Sequence, residues 1–309
     1  MAETESWKSH FGTVCDRSDE HSIIACEPCG FRHVVPLPSE ARLGDVYRDE
    51  YYTLEKPLYL NEHEEDIEWW RLCFRERLEL FERHLDVLQR RVLEIGSGPG
   101  TFLEVARWRG WEAIGIEPSR AAAAYARARD LDVIESFFTD ELAQTLEPFD
   151  VVHLSDVLEH VPDPASMLRR ARRVLTPEGL IAVVVPNDYN TIQRALRDYH
   201  GFRPWWVAPP HHLNYFDFDS LERLLERCGF DVVERSCTFP IDWFLLMGEN
   251  YVDQPTLGRQ CHARRKQFEL RLDAAELGEL KARLYRAFAE CGIGRQAFVT
   301  ARCRPGDTA

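Results

Sequence analysis

Three groups of residues in this sequence have types and spacings that suit chemistry. The first is Val92-Leu93-Glu94-Ile95-Gly96-Ser97-Gly98-Pro99-Gly100, apolar strand residues running into alternating glycines. A strand that ends in such a turn and continues as a helix, here from Thr101, lets a ligand approach backbone at the carboxyl end of a parallel strand. Glycine is needed there because a Cβ would fill the ligand's space or forbid the backbone angles. Glu117 ends a second strand, 21 residues after Gly96, where a carboxylate accepts hydrogen bonds from both hydroxyls of a ribose and disfavours a 2′-phosphate. The second group is histidine: His160 and the pair His211-His212. Imidazole titrates near neutrality and is the natural general base. The third is Cys26-Glu27-Pro28-Cys29-Gly30, a knuckle spacing that brings two thiolates to one Zn²⁺.

The elements that position these residues follow from the hydrophobic pattern. Short apolar runs at 92–95, 112–117, 131–134, 149–154 and 179–185 alternate with helical stretches, which predicts a parallel sheet with helices on both faces. Phe149-Asp150-Val151-Val152-His153-Leu154 leads into Ser155-Asp156-Val157-Leu158-Glu159-His160-Val161-Pro162-Asp163-Pro164, and Gly179 to Val185 runs into Pro186-Asn187. An amphipathic helix with a glycine stop spans Asp219 to Phe230. A sixth strand is expected at 231–237, and the next good strand pattern is Gln296 to Arg302. The segment between them is an insertion with helices from about 258 to 273 and ending near 291. Helix-spaced apolar residues from Glu62 to Leu88 predict a helix before the first parallel strand.

Glycine turn, acidic second-strand end, "D-V-L-E-H-V-x-D-P" and "L-x-P-x-G" followed by "V-P-N" occur in one order. Together they resemble class I S-adenosylmethionine-dependent methyltransferases over residues 88–235. The resemblance implies an α/β, doubly wound, seven-stranded Rossmann-like sheet. It carries an N-terminal knuckle module and a helical insertion between strands six and seven. The expected divisions are 1–40 (knuckle module), 41–90 (helical linker or lid), 91–237 (cofactor-binding core), 238–295 (insertion) and 296–309 (last strand and tail). The implied cofactor is S-adenosylmethionine. Its expected neighbours are Glu94, Gly96, Ser97, Gly98, Gly100, Glu117, Pro118, Ser136, Phe137, Ser155, Asp156, Val157 and His160, with Phe137 or Phe138 against the adenine.

A narrower resemblance, to sugar and natural-product methyltransferases with cysteine knuckles, rests on three features in order: Cys29-Gly30-Phe31, Pro36-x-Pro38 and a segment containing Tyr51-Tyr52. The first knuckle of that pattern is missing. Either Cys15, Cys26, Cys29 and a histidine (His10, or His21) form a Cys3His site for structural zinc, or the metal has been lost and the module survives on packing. His211-His212-Leu213-Asn214-Tyr215-Phe216 resembles the "E-H-x-x-Y-F" segment of sugar C-methyltransferases, with His212 on the His and His211 in place of the Glu. The resemblance implies His212 as general base and Tyr52 (or Tyr51) lining the acceptor site. His211 and His160 are the other candidate catalytic residues, and Asn187, Tyr189, Trp205 and Trp206, placed after strand five, are candidate acceptor contacts. The alternative is a structural turn leading into the next helix.

Composition narrows the partners. A net charge of −14 opposes binding to a nucleic-acid backbone, and Arg169 to Arg173 reads as the solvated end of a helix. No run approaches the ~20 apolar residues of a membrane span, and the first residues lack a signal-peptide pattern. Nine cysteines, an odd number, predict reduced thiols in a cytoplasmic protein. The resemblance implies a small-molecule acceptor, and monomer and homodimer both stay open. O-methylation is the first expectation and C-methylation of a ketosugar the second. A nicotinamide oxidoreductase predicts Gly-x-Gly-x-x-Gly, which is not found here. A non-catalytic docking module that keeps the cofactor site is the alternative from another class.

Overall fold

The computed structural model of the chain describes residues 9–18, 20–38, 48, 59–86 and 90–304. Strands β1 (Gly12–Ser18), β2 (His21–Cys26) and β3 (Arg32–Val35) form an antiparallel meander. Helices α1 (Tyr59–Glu65) and α2 (Ile67–His84) follow, with a break at Asp66 in the stretch expected to be one helix. Leu88 lies outside the described residues.

The core then alternates strand and helix: β4 (Arg91–Ile95), α3 (Thr101–Trp108), β5 (Glu112–Glu117), α4 (Arg120–Arg127), β6 (Val133–Glu135), α5 (Asp140–Ala143), β7 (Phe149–Ser155), α6 (Pro164–Arg173) and β8 (Leu175–Pro186). Helix α7 (Thr191–His200), the two-residue strand β9 (Asn214–Tyr215), α8 (Phe218–Arg227) and β10 (Phe230–Cys237) come next. Three helices, α9 (Trp243–Leu246), α10 (Pro255–Ala274) and α11 (Gly278–Glu290), separate β10 from β11 (Gln296–Cys303).

Seven strands form one sheet in the order β10-β11-β8-β7-β4-β5-β6, with β9 joining the meander as its fourth strand. Strands β4 to β8 are parallel, and β11 runs antiparallel between β8 and β10. Both faces of the sheet are covered, so its central strands carry continuous apolar runs: Leu180 to Val185 are all 0% exposed. Alternate residues serve opposite faces. Leu93, Val152, Ile181 and Val183 enter one core, whereas Val92, Val151, Leu180 and Ala182 enter another that contains Phe74, Leu78 and Phe81 of α2.

The insertion meets α2 through polar contacts: Lys281 pairs with Glu76 at 2.7 Å, and the Trp69 indole N–H donates to Glu269. Within the insertion, Tyr285 Oη of α11 donates to Glu269 of α10 at 2.7 Å. The helix after β9 starts on a reciprocal capping box, with Asp217 accepting from the Ser220 N–H and Ser220 Oγ from the Asp217 N–H. Three of the four arginines of α6 have partners: Arg170 and Arg173 pair with Asp140, and Arg172 donates to the Arg304 carbonyl. Among the described residues no helix is long and apolar enough to cross a membrane, and the nine cysteines are free thiols.

Candidate active site

A cavity of about 1050 Å³ opens at the carboxyl ends of β4, β5 and β7. Of the residues expected around the cofactor, Glu94, Gly96, Ser97, Gly98, Glu117, Pro118, Phe137, Ser155, Asp156, Val157 and His160 line it. Gly96 has φ +74°, and a Cβ there would meet Val157 Cγ2 at 2.7 Å. Glu117 is held from two sides: the Gly98 N–H donates to Oε2 and the Ser119 N–H to Oε1, both at 2.8 Å. Burial raises its carboxyl to about 7, against the pull of those two backbone donors.

Beneath the turn lies a relay that the sequence did not announce. Arg77 of α2 donates to His153 Nε2 at 3.2 Å, leaving Nδ1–H to donate to Glu94 Oε1 at 3.2 Å. Burial, then the neighbouring Arg77, holds His153 well below the usual imidazole range, so it is neutral. Burial pushes the Glu94 carboxyl well up. Glu94 Oε2 and Ser97 Oγ are buried with no hydrogen-bond partner among the described residues. Both belong to the cavity wall. Buried polar atoms without partners are rare, and an amino-acid-like portion of a nucleoside ligand would satisfy them. The cavity therefore fits S-adenosylmethionine: a glycine cradle, two polar atoms in want of partners, and a carboxylate at the second strand end. Sequence reading also missed Arg48, His63 and Trp70 in the wall. His63 Nε2 lies 2.7 Å from Thr101 Oγ1 at the start of α3, and its ring stacks on Trp70.

Several expected contacts have other duties. Gly100 is absent from the cavity wall; at φ +81° it lets the chain enter α3, and a Cβ would strike Leu131 Cδ1 at 2.7 Å. Ser136 also stands outside the wall, its Oγ donating to the Phe137 carbonyl at 2.8 Å. Asn187 is fully buried and donates to the carbonyls of Gly292 and Gly294, both at 3.1 Å, so it fixes the turn before β11 instead of facing an acceptor. Tyr189 bonds Asp16 at 2.7 Å beneath the Arg32 guanidinium, and Trp206 packs on its ring; these residues join the meander to the core. Tyr51 and Tyr52 lie outside the described residues.

The histidines do converge. The loop before β9 is stapled to the segment after β7: the Leu213 and Asn214 N–H groups donate to the Glu159 carbonyl at 2.7 and 3.0 Å. Asn214 Nδ2 reaches the carbonyls of Leu158 and Val161 at 2.9 and 2.7 Å. His160 Nδ1–H donates to the His211 carbonyl at 2.7 Å, which directs Nε2 toward Glu159 Oε1, 3.7 Å away. The rings of His160 and His212 stand edge to face with centroids 5.0 Å apart. His160 belongs to the cavity wall, and His212 stands behind it, in contact with its ring rather than in the wall itself. The His211 residue is exposed, and its carbonyl joins the arrangement.

At the knuckle, Gly30 takes φ +74°, and the Gly30 N–H donates to the Cys26 carbonyl at 2.9 Å. Cys26 Sγ and Cys29 Sγ lie 3.5 and 3.2 Å from His10 Nδ1, and His33 Nε2 lies 3.0 Å from that same nitrogen. His33 Nδ1–H donates to the Val34 carbonyl at 2.8 Å, which leaves Nε2 to face the cluster. These separations fit four ligands at about 2.0–2.3 Å from one Zn²⁺. Cys15 is not among them: its thiol bonds the Thr13 carbonyl, and its side chain packs beside Ile23 and Tyr189. The set that the structure brings together is Cys2His2, with His33 where Cys15 was expected.

Sheet order and cavity are those of the class I, S-adenosylmethionine-dependent methyltransferase fold. The family model described as "Methyltransferase domain" matches residues 62–235, more than half of the chain, and the chain belongs to that family. It is 35% identical over 116 residues to a ubiquinone biosynthesis O-methyltransferase of Alkalilimnicola ehrlichii, covering 36% of this chain and 44% of that one. It is 29% identical over 155 residues to the C-methyltransferase NovU of Streptomyces niveus, covering 46% of this chain and 33% of NovU. The chain thus matches about half of the length, or less, of these curated relatives. In fold it is similar to the plantazolicin methyltransferase BpumL in complex with SAH, with a TM-score of 0.50 and 14% identity over 85% of this chain and 94% of the other.

Proposed function

We propose that this chain methylates a small molecule, a saccharide or natural-product intermediate, with O-methylation the leading reading and C-methylation of a ketosugar the second. The observation that carries it is that His160, in the wall of the cavity that begins at the glycine turn, packs edge to face on His212 and faces the buried Glu159. S-Adenosylmethionine supplies a methyl group already activated as a sulfonium. The chain's own work is then positioning and proton removal. Gly96 and Gly98 admit the methionine portion, Glu94 and Ser97 meet its polar end, Glu117 holds the ribose, and Phe137 flanks the adenine. His212 takes the acceptor's proton, and Glu159 and His160 orient it. Holding donor and acceptor in line supplies most of the acceleration, and the base adds roughly 10²–10⁴-fold.

Similarity to an O-methyltransferase and a C-methyltransferase supports small-molecule methylation, while His211 in place of the expected Glu weighs against the C-methyl branch. The test is transfer from methyl-labelled donor to a panel of catechols, glycosides and ketosugars. Loss of deuterium from the carbon beside a ketone would mark the C-methyl branch. Failure of every acceptor, with SAH bound tightly, would move the weight to a docking module. We also propose that His10, Cys26, Cys29 and His33 hold a structural Zn²⁺ that ties the turn after β2 to β3. Strand β3 pairs with β9 through His33 and Asn214, so the metal supports the loop that carries His212.

A further inference from the structure

We propose that Glu159, His160 and His212 together bind a divalent first-row cation that ligates the acceptor through two adjacent oxygens. The inference rests on the methyl-donor reading of the cavity and makes its acceptor side more specific.

One ligand atom from each of the three residues lies within 4.8 Å of the other two. Neighbouring ligands on one metal stand about 3–3.5 Å apart when each is roughly 2.1 Å from the ion, so small side-chain adjustments close the set. The orientation of His160 supports this. Its Nδ1–H is engaged by the His211 carbonyl, the outer bond that fixes the ring of a ligating histidine and presents Nε2 to the ion. The backbone that carries the ligands is rigid, because Glu159, Leu213 and Asn214 bond directly and the Asn214 amide spans to Leu158 and Val161. Two imidazoles and one carboxylate are the donor set that binds a six-coordinate divalent ion on one face and leaves positions open. An acceptor with vicinal hydroxyls, a diol or catechol, would fill two of them.

Coordination makes a hydroxyl more acidic. Its proton leaves to solvent, the oxygen forms a bond to the sulfonium methyl carbon, and the carbon–sulfur bond breaks with its electron pair returned to sulfur. The positive charge of the donor is thereby discharged, and the products are a methyl ether and a thioether. His212 then acts as a ligand rather than as the proton acceptor.

The test is titration of the full chain with Mn²⁺, read by electron paramagnetic resonance, with SAH affinity measured in parallel. Mn²⁺ is a hard ion that favours carboxylate and imidazole over the thiolates of the knuckle. The expected result is one bound Mn²⁺, weakened at least tenfold by His212→Gln and by His160→Gln and unchanged by Cys26→Ser, with SAH affinity unaltered in His212→Gln. A wild-type protein that binds SAH but not Mn²⁺, or Mn²⁺ binding insensitive to His212→Gln, overturns the proposal and leaves His212 as the base. Mn²⁺ binding without SAH binding would instead overturn the methyl-donor reading while the cation site stood.

Discussion

Asn214 is the residue on which the geometry of the acceptor side most depends. It is 2% exposed, and its amide nitrogen donates to two carbonyls, Leu158 at 2.9 Å and Val161 at 2.7 Å, on either side of Glu159 and His160. Asn214→Ala removes both bonds and strands two buried acceptors. A net hydrogen bond contributes about 1 kcal/mol, and an unsatisfied buried group costs roughly 1–3 kcal/mol, so the expected loss of stability is about 2–4 kcal/mol. At about 2 °C per kcal/mol for a domain of this size, the melting temperature falls by roughly 4–8 °C. The backbone bonds to the Glu159 carbonyl survive, so the fold persists while the segment drifts. A drift of about 1 Å costs on the order of 10²-fold in rate. Urea unfolding gives the first quantity and labelled methyl transfer the second, with SAH affinity expected to stay within twofold of wild type. Stability within 0.5 kcal/mol of wild type together with unchanged transfer would refute the claim that this amide sets the position of the histidines.

Other outcomes follow from the same geometry. Gly96→Ala forces a Cβ to 2.7 Å from Val157 in a left-handed backbone; SAH affinity should drop by 10²-fold or more, and calorimetry that finds it unchanged would dismiss the cradle. The Glu117 carboxyl is raised to about 7 by burial. The folded chain therefore holds this proton more tightly than the unfolded one, and stability contributed by the protonated form is lost as pH rises from about 4.5 through 7. Ribose hydroxyls favour the ionised form, so SAH affinity should rise up to about tenfold from pH 6 to 8 and become flat in Glu117→Gln. A flat wild-type profile would remove the ribose role. Elemental analysis should find one zinc per chain, lost in Cys29→Ser and His33→Ala with a lower melting temperature and retained in Cys15→Ser. Loss of zinc from Cys15→Ser with zinc retained in His33→Ala would restore the Cys3His set.

Much of the sheet was legible because each parallel strand is a continuous apolar run ending in a recognisable turn. Gln296 to Arg302 was readable as the last strand, and the insertion helices were placed within a few residues, since apolar spacing changes period there. What stayed hidden depends on pairing across distance. His33 reaches the knuckle because β3 folds back along β2; Cys29-x-x-x-His33 was a usable signal, but Cys15 has the more familiar side chain. Gly100 and Gly96 look alike in sequence, yet one lacks a Cβ for the sake of α4 and the other beside the cavity. The Arg77–His153–Glu94 relay joins residues 76 and 59 positions apart, which spacing cannot reveal. Asn187 resembles a site residue because it follows a strand end, and only the fold brings the 292–294 turn beneath its amide.

The most direct test of the account is a paired measurement on His212→Gln: SAH affinity by calorimetry, and transfer of a labelled methyl group to whichever acceptor the wild type accepts. The account predicts an unchanged affinity with transfer reduced by about 10²–10⁴-fold, because His212 is not in the wall of the cofactor cavity. Transfer at the wild-type rate would contradict it.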